Sequence, residues 1–118
     1  MATVQAARFR ARYESRPGRG VVVAASLAEL RGPTEGVVEL PIWLFWQPDR
    51  RFDMSEPAVA RWMYQTVLRE AARPEDLGYL NGELLVKMWP ELCLPPGVRQ
   101  AWVEQHPALQ AVTPVPVP

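Results

Sequence analysis

The longest apolar run in the chain lies within Gly36 to Asp53, GVVELPIWLFWQPDRRFD. Counted by twos, Val38, Leu40, Ile42, Leu44 and Trp46 fall on one side of a strand. Val37, Glu39, Pro41, Trp43, Phe45 and Gln47 fall on the other. Residues 37–41 alternate as a half-buried strand does, whereas 42–46 are apolar on both faces, so each face needs a cover. One cover is the chain's own helices; the other is either those helices again or a second molecule. Pro41 has no N–H to give a ladder, so the strand is an edge strand, bulged there, or broken in two.

The remaining elements are read around that run. Residues 3–15 are predicted as a helix, with Phe9 and Tyr13 four apart and Arg8, Arg12 and Arg16 along another line. Pro17-Gly18 stops it, and Gly20-Val21-Val22-Val23 opens a buried strand over 20–26. Ser26 to Glu29 has the S-x-x-E form of a capping box for a short helical piece ended by Gly32-Pro33. About ten residues then separate the two strands, fewer than the dozen or more of a parallel crossover, so an antiparallel pair is expected.

From Glu56 to about Arg73, Val59, Trp62, Met63, Val67 and Ala71 recur at three- and four-residue steps, and Ser55 stands where a cap is wanted. Leu84, Leu85, Met88, Trp89 and Leu92 form a second apolar face. Val98, Ala101 and Trp102 form a third, ending near His106-Pro107. Trp62, Trp89 and Trp102 are expected in the core. The fold class is therefore α+β: a small antiparallel sheet containing 20–26 and 37–46, packed by three to four short helices. Residues 1–107 form one domain, and 108–118, with three prolines in the last six residues and no charge, form a disordered polyproline-like tail.

Composition narrows the function classes. The 118 residues carry 13 basic and 13 acidic groups, a formal net charge of zero that argues against indiscriminate nucleic-acid binding. The balance is uneven: residues 1–32 hold six Arg against Glu14 and Glu29. High-GC coding also produces such an arginine bias. Cys93 is the single cysteine, so no disulfide within the chain is expected. Neither a signal peptide nor a membrane span is read in the sequence, which makes the cytoplasm the expected location.

Catalytic signatures are sparse. His106 is the only histidine, so no second one exists to share a metal, and a capping or surface role is its plain reading. Cys93 lies in the apolar stretch ELCLPP, where a packed thiol is more usual than a nucleophile. Glu75-Asp76 reads as a charged helix start. No Gly-rich phosphate loop follows a strand. No catalytic residue, metal or cofactor is assigned, and the chain is read as a non-enzymatic binding protein.

Two groups of residues carry the binding reading. Trp43 and Phe45, flanked by Arg50 and Arg51, form an aromatic and basic patch of the kind that dominates interfaces. Arg8, Arg12 and Arg16 suit contact with an anion, a nucleic acid or an acidic partner; a solvated face and a polar turn are the plain readings of these two basic groups.

The stretches RGPTEGVVELP, LFWQPDRRFD, RWMYQTVLREA and LLVKMWPELCLPPGVRQAWVEQHP resemble a group of small bacterial proteins of about this length, over roughly residues 8–107. Such proteins tend to be encoded beside nucleotidyltransferase-like toxins of the abortive-infection type. The resemblance implies an antitoxin or accessory partner of a toxin–antitoxin system and assigns no functional residues. The alternative expectation is a nucleic-acid-binding transcriptional regulator. A homodimer is compatible with either.

Overall fold

The computed structural model describes residues 6–16 and 19–111, with side chains described from 21 to 109. The fold is α+β. Strands β1 (Ala6–Arg16) and β2 (Arg19–Ala24) form one antiparallel pair; β3 (Val37–Glu39) and β4 (Arg51–Asp53) form another. Four helices follow: α1 (Pro57–Glu70), α2 (Gly82–Met88), α3 (Pro96–Gln105) and α4 (Pro107–Ala111). Short 3-10 turns cover Leu27–Glu29, Pro74–Tyr79 and Trp89–Glu91.

Three expectations change at the strands. Of the helix expected over 3–15, residues 3–5 lie outside the described residues and 6–15 are extended within β1, which pairs with β2 from Ala6 opposite Ala24 to Arg16 opposite Arg19, with irregular register between Phe9 and Glu14. The 20–24 strand therefore pairs with residues before it, not with 37–46. The long strand expected over 37–46 also ends early. Its ladder runs from Met54 N–H on Gly36 O (2.8 Å) to Leu40 N–H on Arg50 O (2.9 Å), and stops at Pro41. There the chain makes one helical turn, with Leu44 N–H and Phe45 N–H both donating to Pro41 O. Proline is well suited to such a start because its fixed φ is helical and its missing N–H is not needed. Gly36 begins the strand at φ +80°, a left-handed geometry that side chains resist.

The core is continuous from β2 to α4. Val21, Val22, Val23 and Ala24 are all buried, as a strand covered on both faces requires. α3 lies against β1 and β2. From α1, Met63, Tyr64, Val67 and Leu68 point inward; Leu85, Trp89, Val98 and Trp102 complete the interior. Trp89 and Trp102 are core residues as expected. Trp62 is not, and stands half exposed on α1. Leu109 is fully buried on α4, so the part of the tail expected from 108 is helical to Ala111, and residues 112–118 lie outside the described residues.

Asn81 ties the two halves of the chain. Its N–H donates to the Tyr64 hydroxyl (2.8 Å), its side-chain NH2 to Gly32 O (3.3 Å), and its side-chain oxygen caps α2 by accepting from Leu84 N–H (3.1 Å). Gly32 N–H bonds Leu80 O and Gly82 N–H bonds Leu30 O, both at 2.8 Å. Burial pushes the Tyr64 hydroxyl up to about 12, so it stays neutral across the ordinary pH range. The other caps differ from expectation: Ser26 accepts from Ala28 N–H rather than from Glu29, and Ser55 bonds Asp53 instead of opening α1.

His106 closes α3, but from inside. It is buried, its Nε2 lies 2.6 Å from Ala24 O, and its ring rests 5.5 Å from that of Trp102. Burial lowers its pKa from the usual 6.5, opposed by the bond to Ala24. An unfolded chain therefore takes up this proton before the folded one does. The associated stability is present above the ordinary histidine pKa and is lost as pH falls through the folded value. Melting scans from pH 7 to pH 5 should show a fall in Tm that is weaker in His106→Gln; identical slopes would remove His106 from the acid response.

Candidate interaction surface

The helical turn at Pro41 decides which residues of the apolar run reach solvent. Leu40 and Leu44, four apart, drop into the core at 0% and 2% exposure. Ile42, Trp43 and Trp46 are driven outward at 53%, 58% and 82%. A run that reads as two strand faces is thus one buried pair of leucines and an exposed apolar crest. Phe45 is half-buried and meets Phe52 and Trp62 edge-on, with the three ring centroids 5.1 to 5.3 Å apart. Such edge-to-face contacts hold the rings beyond what area burial alone supplies.

Two shallow wells lie on either side of Gln47-Pro48. Ile42, Trp46 and Arg50 line one of about 320 Å³ with those two residues. Phe45, Asp49, Arg51, Phe52 and Trp62 line the other, of about 460 Å³. Both are mostly apolar and open.

Arg50 is less available than its position suggests. Its Nε donates to Leu40 O (3.1 Å), its Nη1 to Gln47 O (3.0 Å), and Glu39 lies 3.8 Å from Nη2. Arg50 therefore braces the loop from within. Arg51 remains exposed, 3.4 Å from Asp49, whose carboxyl is held below its usual value chiefly by hydrogen bonds from the Arg51 backbone and side chain. The expected partner-binding set of Trp43, Phe45, Arg50 and Arg51 is brought to one region, but with different duties. Arg8, Arg12 and Arg16 lie on β1, and their side chains fall outside the described ones.

Trp43 is exposed yet fixed. Its indole N–H donates to Asp76 Oδ1 (3.0 Å), and the Arg73 guanidinium sits 5.1 Å from its ring centre. Asp76 itself is 2% exposed, and its Oδ2 accepts from Ala72 N–H (3.0 Å) and Arg73 N–H (3.1 Å). One buried carboxylate thus ties the turn after α1 to the exposed crest 33 residues earlier. Read from sequence, Asp76 was a helix-start charge; Trp43 gave no signal of its partner. Cys93, expected to be packed, is exposed, with its backbone N–H bonded to Gln65 Oε1 (2.8 Å).

Among the described residues no group of three or more His, Cys, Asp or Glu side chains is placed to hold a metal. No described helix is long and apolar enough to cross a membrane. Comparison with protein-family models, with curated proteins and with solved structures gives no match.

Proposed function

We propose that this chain is a non-enzymatic protein-binding module that docks a partner on the crest formed by Ile42, Trp43 and Trp46 and on the neighbouring Trp62. The observation that carries this reading is the exposure of four large apolar side chains, three of which (Ile42, Trp46 and Trp62) line the two wells, on a chain with ample core of its own. Isolated exposed hydrophobics are ordinary, whereas several large ones rimmed by polar groups mark an interaction face. Three of them are tryptophans, which bury much area at little entropic cost. Trp43 is also ordered before the partner arrives, which reduces the cost of association.

The resemblance noted above makes a nucleotidyltransferase-like toxin the partner to test first, with this chain as its antitoxin. Arg51 is the cation that would meet an acidic active site, and Arg50 the one that holds the loop in shape. Replacement of Trp46 by alanine should weaken binding to such a toxin by about 2 kcal/mol, some 30-fold, in a calorimetric titration. Tm should not move, since Trp46 contributes little to the folded interior. Equal affinity of the two proteins would defeat this reading. Binding to DNA or RNA that collapses with added salt, and with Arg8, Arg12 and Arg16 changed together to alanine, would put the regulator reading in its place.

A further inference from the structure

The face around Pro48 carries both a projection and a recess of matching chemistry. Trp46 stands 82% exposed on one side of Gln47-Pro48. On the other side is the well of about 460 Å³, lined by the Phe45, Phe52 and Trp62 rings and by Asp49 and Arg51. A cavity of about 150 Å³ holds a benzene ring, so this well has room for an indole. Its lining also suits one: three rings for edge-to-face contact, a carboxylate to accept the indole N–H, and a guanidinium to lie over the ring face. The same surface thus offers a tryptophan and a socket for one, separated by Pro48.

An isologous dimer requires that combination. A twofold axis lying in the interface along Gln47-Pro48 sets each side of the face against the opposite side of a second copy. Trp46 of each molecule then meets the well beside Trp62 in the other. Charge does not oppose the contact. Arg50 and Arg51 stand around Pro48 with Glu39 and Asp49, two of each sign, and the whole chain has a formal net charge of zero.

We propose that two copies of this chain pair through the Pro48 face, each inserting Trp46 into the well lined by Phe45, Phe52 and Trp62 of the other. This rests on the reading of that face as a docking surface, and adds a means of regulating it. A second copy and the toxin compete for Trp46, so the toxin engages only the open monomer. Arg51, which lies against the inserted ring in the pair, is released for an acidic partner when the pair opens. The contact is small beside that of permanent dimers, which makes pairing reversible and dependent on concentration.

Sedimentation velocity on the full chain, run with reductant so that Cys93 cannot link molecules, tests this directly. The parent should pass from monomer to dimer between micromolar and near-millimolar concentration. Trp46→Ala should weaken that association about 100-fold, because each dimer loses two inserted rings. Trp62→Ala, which removes a half-exposed ring, should weaken it by damaging the well instead. A mixture of the two variants should pair better than either alone, since one intact ring then meets one intact well. A parent that stays monomeric, a Trp46→Ala protein that pairs like the parent, or a mixture no better than its components overturns the inference. Toxin titrations below the concentration at which the parent pairs separate this inference from the docking reading. A monomeric parent that binds toxin about 30-fold more tightly than Trp46→Ala removes the dimer and keeps the docking surface. A dimer abolished in Trp46→Ala with unaltered toxin binding does the reverse.

Discussion

Replacing Asp76 by alanine should lower the unfolding free energy by about 3 kcal/mol, the largest loss expected from any one polar side chain here. The carboxylate is buried and accepts from three donors: the Trp43 indole and the backbone N–H groups of Ala72 and Arg73. The Arg73 guanidinium adds a charge 3.6 Å away, discounted because that side chain is more than half exposed. Alanine removes the acceptor while leaving donors that were positioned around it. Asp76→Asn keeps the shape and one oxygen, so it should cost about 1 kcal/mol. Urea unfolding of the two variants checks the order. Trp43→Phe separates the indole bond from the rest: in that background the Asp76→Ala loss should shrink by about 1 kcal/mol, the coupling of a contacting pair. An Asp76→Ala protein as stable as the parent would mean the carboxylate is not the tie between crest and core.

The second large effect is expected at a glycine. A Cβ built on Gly82 would stand 2.2 Å from Leu27 O and 3.0 Å from its carbonyl carbon, both backbone atoms. Helix propensity favours alanine over glycine by about 1 kcal/mol in a helix interior, and Gly82 is the first residue of α2. The backbone contact outweighs this, because the 27–29 turn cannot yield without straining the Gly82 N–H bond to Leu30 O. Gly82→Ala should therefore destabilise by about 3 kcal/mol, at the upper end of overpacking costs. Gly78→Ala is the matched control. Nothing lies within 4 Å of its added methyl, so its Tm should equal or exceed the parent's. Similar melting curves for Gly78→Ala and Gly82→Ala would contradict the close approach.

The helices were legible in the sequence because their signals are local. The 3.6-residue stripe of α1 and the end of α3 near His106-Pro107 need no knowledge of the rest of the chain. The strand errors have a physical cause. Arg8-Phe9-Arg10-Ala11-Arg12-Tyr13-Glu14 alternates strictly, which is strand periodicity. Phe9 and Tyr13 satisfy both an i,i+4 and a period-2 pattern, and only pairing with β2 decides between them. At 40–46 the same ambiguity ran the other way, and Pro41 resolved it by starting a helical turn. Trp62 met the helical stripe but sits at its border, where Phe45 and Phe52 cover only part of it. The aromatic half of the candidate surface was visible from Trp43 and Phe45. Its support was not, because Asp76 and Trp43 are far apart in sequence and no short motif links them.

Cys93 has a practical bearing on how assemblies of this protein are judged. Its sulfur is exposed to solvent, and the sequence contains no second cysteine with which it could pair internally. Any disulfide it forms with its own kind must bridge two molecules. Samples kept without reductant will therefore accumulate covalent dimers as they age, and the size measured on a gel-filtration column will drift for reasons unrelated to the tryptophan crest.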